Sequence, residues 1–145
     1  MSETDIDILI KKFRVLPRIK SHFLRDFMPD TELGLKDSEY RTMMEIRAHE
    51  GRPMSFYCNL IELEQGSFTY IADKLESKGV LTRVPDPEDR RKKTLHFTEK
   101  GRRITAEVHR QFSAHLGRHF EALEESQRQA LKEALDILEP VLESM

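Results

Sequence analysis

Cysteine is nearly absent from this 145-residue chain: Cys58 is the only one. A single thiol excludes an internal disulfide and a cysteine-based metal cluster within one chain. No apolar run is long enough to cross a bilayer, and no basic-then-apolar leader opens the sequence. A cytoplasmic protein without membrane spans is therefore expected. Hydrophobic residues are somewhat scarce at 38% and charged ones abundant at 34%, as in a helical, well-solvated chain. Internal repeats and low-complexity segments are missing. So are a nucleophile-elbow glycine motif, a phosphate-cradling loop and paired carboxylates in a glycine-framed turn, which argues against an enzyme. The length suits one domain, or one domain with a dimerisation extension.

A strong charge of one sign is also lacking, since the net charge is −2. That balance argues against a polyanionic partner until it is divided along the chain. Between Gln65 and Arg103 ten Lys or Arg face six Asp or Glu, a local +4 that leaves −6 for all the rest. The basic charge is concentrated in one stretch. Within it Phe68, Ile71, Ala72 and Leu75 fall at helical spacing, and Lys78-Gly79 reads as a helix end. Two β-prone runs follow, Val80 to Val84 and Thr94 to Thr98, around the polar turn Pro85-Asp86-Pro87-Glu88-Asp89-Arg90-Arg91. A helix followed by an arginine-tipped hairpin is the order of a winged helix. In that arrangement the helix enters a major groove and the hairpin reaches the adjacent minor groove.

The residues of this stretch, DKLESKGVLTRVPDPEDRRKKTLHFTEKG, resemble the recognition helix, wing and following helix start of the MarR family of bacterial transcriptional regulators. Asp86-Pro87-x-Asp89-Arg90-Arg91, closed by Thr98-Glu99-Lys100-Gly101, is the specific part. The resemblance implies a mainly α winged helix-turn-helix whose terminal helices form an intertwined homodimer. It implies binding to double-stranded DNA at a pseudo-palindromic operator, repression, and release by a small-molecule effector. It places Arg91 in the minor groove and gives Asp89 the role of orienting the wing through hydrogen bonds. The chain departs from the family pattern at Glu62 and Glu64, where a small residue or glycine is common. It departs again at Gly66, where the helix often starts with Ser or Thr.

The flanking segments fit this plan. Ile6, Leu9, Ile10, Phe13, Leu16, Ile19, Phe23, Leu24 and Phe27 recur at three- and four-residue steps, with Pro17 marking a kink or a second start. Asp37 or Ser38 is expected to cap a helix over Glu39 to Ala48, and Ser55 a short one over Phe56 to Leu63. A long helix runs from Glu99 to about Leu123. The last, from Gln127 to Leu142, has Ser126 as its cap. The domains read as an N-terminal dimerisation helix and linker (1–36), a DNA-binding winged helix (37–100) and C-terminal dimerisation helices (101–145). Three apolar terminal helices are too many for one small core to cover, so an identical subunit is expected to cover them.

The candidate DNA contacts are Gln65, Ser67, Thr69, Tyr70 and Lys74 on the recognition helix, and Asp89, Arg90, Arg91 and Lys92 at the wing. Ser67, Thr69 and Tyr70 lie in the first turn, where side chains reach base edges, whereas Lys74 and Lys78 suit phosphates. Lys92 and Lys93 alternate across the strand, and Lys92 is the one assigned to phosphate. His22, Met43 and Met44 are the candidates for an effector pocket, with core packing the competing role for both methionines. His115 and His119, four apart on one helix face, have the spacing of a divalent-metal pair, and a metal-responsive regulator is the alternative they raise. No cofactor is expected. Cys58 reads as a buried, inert thiol. A winged helix serving only protein contacts remains the other alternative, and it would not need four consecutive basic residues at a hairpin tip.

Overall fold

The computed structural model describes residues 2–61 and 63–144, so Glu62 lies outside the described residues. Among the described residues seven helices and two strands follow in order: α1 (Glu3–Phe13), α2 (Val15–Leu24), α3 (Asp37–Ala48), α4 (Met54–Leu60), α5 (Gln65–Ser77), β1 (Leu81–Pro85), β2 (Lys93–Phe97), α6 (Glu99–Glu121) and α7 (Glu125–Glu143). They form two compact units. One is Met28–Phe112, and the other joins residues up to 27 with those from 113 onward.

The first unit holds the principal core. Met43 and Ile46 of α3, Tyr57 of α4, Phe68 and Leu75 of α5, Val80, Leu95 of β2 and Val108 of α6 are all fully buried. The apolar face read from the sequence of α5 is the face that packs here: Phe68, Ile71, Ala72 and Leu75 are its buried residues. Tyr57 keeps its polar tip satisfied in this core. Its hydroxyl donates to the carbonyl of His49 and accepts from Arg52 N. Strands β1 and β2 pair antiparallel, Leu81 opposite Phe97 and Pro85 opposite Lys93. The segment before α4 lengthens this small sheet, with Gly51 N donating to Leu95 O and Leu95 N to Arg52 O. Gly51 has φ +85°, a conformation that favours glycine.

Several boundaries differ from the sequence reading, each for a local reason. Helix α3 begins at Asp37 because Glu39 reaches back to Lys36 N at 2.9 Å, which fixes Lys36 as the cap and puts Asp37 and Ser38 inside the first turn. Helix α4 begins at Met54 with Pro53 in the cap position, so Ser55 caps nothing. It ends at Leu60, three residues short of Leu63, whose N–H closes a wider turn onto Cys58 O. Helix α7 is capped by Glu124, whose N–H bonds to Gln127 Oε1 at 3.0 Å, and Ser126 is helical. The strands start and stop one residue away from the expected Val80 and Thr98. Val80 O is taken by Thr98 N, which ties the base of the hairpin to the start of α6.

Pro17 acts as a second start. Helix α1 ends at Phe13 and α2 begins at Val15, which puts Pro17 in a first turn, where its missing N–H leaves no bond unmade.

In the terminal-helix unit, Phe23 stacks on Phe120 with ring centroids 4.9 Å apart, and Phe27 packs against His115. Much apolar surface stays open. Phe13 is 65% exposed, Ile10 54%, Ile137 72% and Leu142 59%, and among the described residues α7 has none buried. No helix is long and apolar enough to cross a membrane among the described residues.

Candidate nucleic-acid interface

Helix α5 and the β1–β2 hairpin are joined by a tight helix end. Gly79 sits at φ +72°, its N–H bonds to Glu76 O, and Val80 N bonds to Leu75 O, both at 2.9 Å. These are the two bonds of a Schellman cap, and they turn the chain from helix into wing. Thr98 completes the corner from the other side. Its hydroxyl donates to Gly79 O at 2.6 Å and accepts from Gly101 N at 2.9 Å, capping α6. Gly101 lies so close to the hairpin base that an added Cβ would fall 2.0 Å from Val80 O. The Thr98-Glu99-Lys100-Gly101 signature therefore has a packing reason: a cap, and a glycine where two backbones meet.

The wing tip is held by its own side chains. Asp86 Oδ1 accepts from Glu88 N at 2.8 Å and Asp89 N at 3.1 Å, and Asp89 Oδ1 accepts from Arg91 N at 3.1 Å. Asp86 N closes the loop onto Lys92 O. Two consecutive Asx turns thus fix the backbone that carries Arg90 and Arg91. The two amide bonds also hold the Asp86 carboxyl below the usual carboxylate range. Both arginines are exposed, and neither side chain has a hydrogen bond or ion pair among the described residues. Lys92 Nζ stands 3.9 Å from Asp89 Oδ2, while Lys93 opens β2 and is exposed.

Most other basic residues of the stretch are already paired. Lys78 Nζ bonds to the buried Glu39 at 2.6 Å, so it is no free phosphate ligand, contrary to the sequence expectation. The physical reason is its place at the end of α5, beside the start of α3. Burial raises the Glu39 carboxyl. The bonds from Lys78 Nζ and Lys36 N, with the nearby lysine charges, outweigh this and leave it lowered. Arg102 grips Glu50 through both terminal nitrogens, at 2.9 and 2.7 Å. Arg83 is paired with Asp73 and Glu76, and Arg103 with Glu32. Uncompensated positive charge therefore collects at the wing tip.

On α5, Gln65, Ser67 and Lys74 are exposed, and Tyr70 is 61% exposed with Lys74 Nζ 5.5 Å above its ring. Thr69 is half-buried, and its hydroxyl already donates to Gln65 O at 2.8 Å, which leaves it only as an acceptor. Glu64 occupies the cap position without a side-chain bond. Gly66 faces open space: a Cβ there would have nothing within 4 Å.

The remaining candidates belong to other elements of the chain. Met43 is fully buried core and Met44 half-buried in the same unit. His22 lines an open cleft of about 850 Å³ in the terminal-helix unit, together with Arg18, Arg25, His119 and apolar groups such as Ile19 and Leu131; neither methionine lines it. His22, His115 and His119 are neighbours, with centroids of His119 5.4 Å from His22 and 4.8 Å from His115. His115 Nε2 is 3.1 Å from Phe23 O. Desolvation, then the other two imidazoles and Arg118, push His119 down. The described residues contain no group of three or more side chains placed to hold a metal ion. Burial raises the Cys58 thiol, as befits an inert core residue.

A short helix, a turn, a longer exposed helix and a basic hairpin define a winged helix-turn-helix protein. The MarR family model matches residues 35–93. The regulator MhqR of Bacillus subtilis is 29% identical over 136 residues, covering 93% of this chain and 91% of its own length. A second B. subtilis regulator of the same helix-turn-helix type, YkoM, is 25% identical over 134 residues, with 90% and 85% covered. Wild-type MarR of E. coli superimposes with a TM-score of 0.73 at 19% identity, covering 90% of this chain and 96% of that one. FabT of Streptococcus pneumoniae, solved in complex with DNA, gives 0.67 at 24%, with 98% and 97% covered. The chain is thus similar to the MarR family of helix-turn-helix transcriptional regulators, by the family model over residues 35–93 and by these relatives over most of its length.

Proposed function

We propose that the protein binds a pseudo-palindromic DNA operator as a homodimer and represses transcription until a small molecule releases it. The observation that carries this reading is the wing tip, where two unpaired arginines ride on a backbone fixed by Asp86 and Asp89. The related folds of FabT and of the repressor CouR, each solved on DNA, support it. In this reading Gln65, Ser67 and Tyr70 meet base edges in the major groove, with Thr69 as an acceptor. Lys74 and Lys92 meet phosphate, and Arg90 and Arg91 approach the minor groove. Residues 37–100 form the DNA-binding domain, and residues 1–36 and 101–145 the dimerisation segments. The exposed apolar residues of α1, α2 and α7 support that assignment. Two recognition helices then reach major grooves one helical turn apart.

The effector reading moves from the methionines to the cleft beside His22. Arg18, Arg25, His22 and His119 against apolar walls suit an anion with an apolar body. Binding there would shift the balance between two dimer geometries. The protein is a binding protein of the cytoplasm and not a catalyst. The test is a mobility-shift titration against duplexes enriched from a random-sequence library, repeated at rising salt. Tight binding whose logarithm falls linearly with the logarithm of salt is expected, because phosphate neutralisation releases counterions. A module serving only protein contacts would retain no duplex at low salt.

A further inference from the structure

We infer that Arg83 is a positioning residue that locks the wing to the recognition helix, so that the Arg91 contact depends on a salt bridge Arg91 does not touch. Arg83 lies on β1 opposite Leu95. Its guanidinium forks across two carboxylates of α5: Nη2 to Asp73 and Nη1 to Glu76 Oε2 at 3.0 Å. Asp73 and Glu76 are three apart, so they share the helix face that looks toward the hairpin. The arginine side chain is 19% exposed while Asp73 and Glu76 are 56% and 39% exposed, so the guanidinium is held down against the protein by carboxylates that keep contact with water.

Without this fork, the described bonds between α5 and the wing are the Schellman corner at its base and the Thr98 hydroxyl. The base of the hairpin is also held where β2 pairs with residues 51–53, so the freedom left to the wing lies in the part beyond that pairing, toward the tip. A two-stranded ribbon has little stiffness of its own, and the tip carrying Arg91 lies eight residues beyond Arg83. A planar fork on two acceptors removes the swing, and lysine, a single point charge, cannot make the same grip. The fork has a second effect. Its single positive charge offsets one of the two carboxylate charges on that helix face.

The inference rests on the DNA-binding reading for its functional arm, but one readout is free of DNA. Amide hydrogen exchange of β1 and β2 in the free protein should speed up in Arg83→Met, and in the Asp73→Asn, Glu76→Gln pair, with helicity retained. Unchanged exchange in both would overturn the tether. On enriched duplexes, Arg91→Ala is expected to cost about tenfold or more in the wild-type background. In Arg83→Met, where the wing is already loose, it should cost less than about threefold, a non-additivity of the size coupled residues show. Equal costs in the two backgrounds would also overturn the inference. Arg83→Lys should fall between wild type and Arg83→Met, and the Asp73→Asn, Glu76→Gln pair serves the cycle should Arg83→Met fail to fold. If wild-type protein retains no duplex, the DNA-binding reading fails by itself, and the exchange experiment still decides the tether.

Discussion

Arg91 is an exposed side chain on a rigid loop, and that combination makes its contribution separable from folding. Arg91→Ala should weaken duplex binding by about 1–3 kcal/mol in a gel-shift titration. Circular dichroism and sedimentation should not change, because no described contact is lost. Gly101 behaves in the opposite way. Gly101→Ala places a methyl 2.0 Å from Val80 O. Relief requires the start of α6 to move off the hairpin base, and overpacking of this kind costs about 1–3 kcal/mol. A thermal melt should show the loss, and a melting point equal to wild type would mean the corner yields freely. The wing motif could be read from the chain because its residue types do local work: Asp accepts amides within three residues, and glycine fits where backbones touch. Arg83 could not be so read. Its partners lie seven and ten positions earlier, and nothing in the spacing announces a fork between a strand and a helix.

Helix positions followed from apolar spacing, whereas helix starts did not. The expected caps Ser38, Ser55 and Ser126 all lie within the first turns, since Glu39 and Gln127 bond back to the residues that do stand at the cap positions of α3 and α7. At α4 the cap position falls to Pro53, just after backbone paired with β2. A hydroxyl near a helix start is a frequent signal, but a side chain three residues on decides which residue is fixed. At the element scale the Glu39–Lys78 pair links the start of α3 to the end of α5. Glu39 has a folded pKa below its unfolded one. Its contribution to stability is therefore present above the ordinary carboxylate range and fades as pH falls through the folded value. Glu50, half-buried and bonded to Arg102 and Phe97 N, acts in the same direction. Urea midpoints measured from neutral to acid pH should decline on that limb, and Glu39→Gln should lower the neutral plateau and flatten the decline. A parallel shift without flattening would count against the pair.

For the whole molecule, the unpartnered apolar residues of the terminal helices predict an obligate dimer. The melting temperature should rise with protein concentration, because association stabilises only the folded chains. Ile137→Glu, at a position 72% exposed in one chain, should lower the sedimentation coefficient toward that of one subunit while leaving the Met28–Phe112 unit folded. A concentration-independent melt for wild type would contradict this. His119 adds a dependence on acidity. Its folded pKa is depressed, so the neutral ring's stabilisation holds above the unfolded value and is lost as pH drops through it. The melting temperature should therefore fall on mild acidification, and His119→Gln should remove that sensitivity.

Gly66 stands in the first turn of the recognition helix with nothing above its Cα. A glycine inside a helix forfeits about 1 kcal/mol relative to alanine. Gly66→Ala should strengthen the helix, and in the proposed complex it would add a methyl on the surface assigned to DNA. A side chain placed in that vacancy displaces nothing in the fold, so in the proposed complex it would alter operator preference without a compensating change elsewhere.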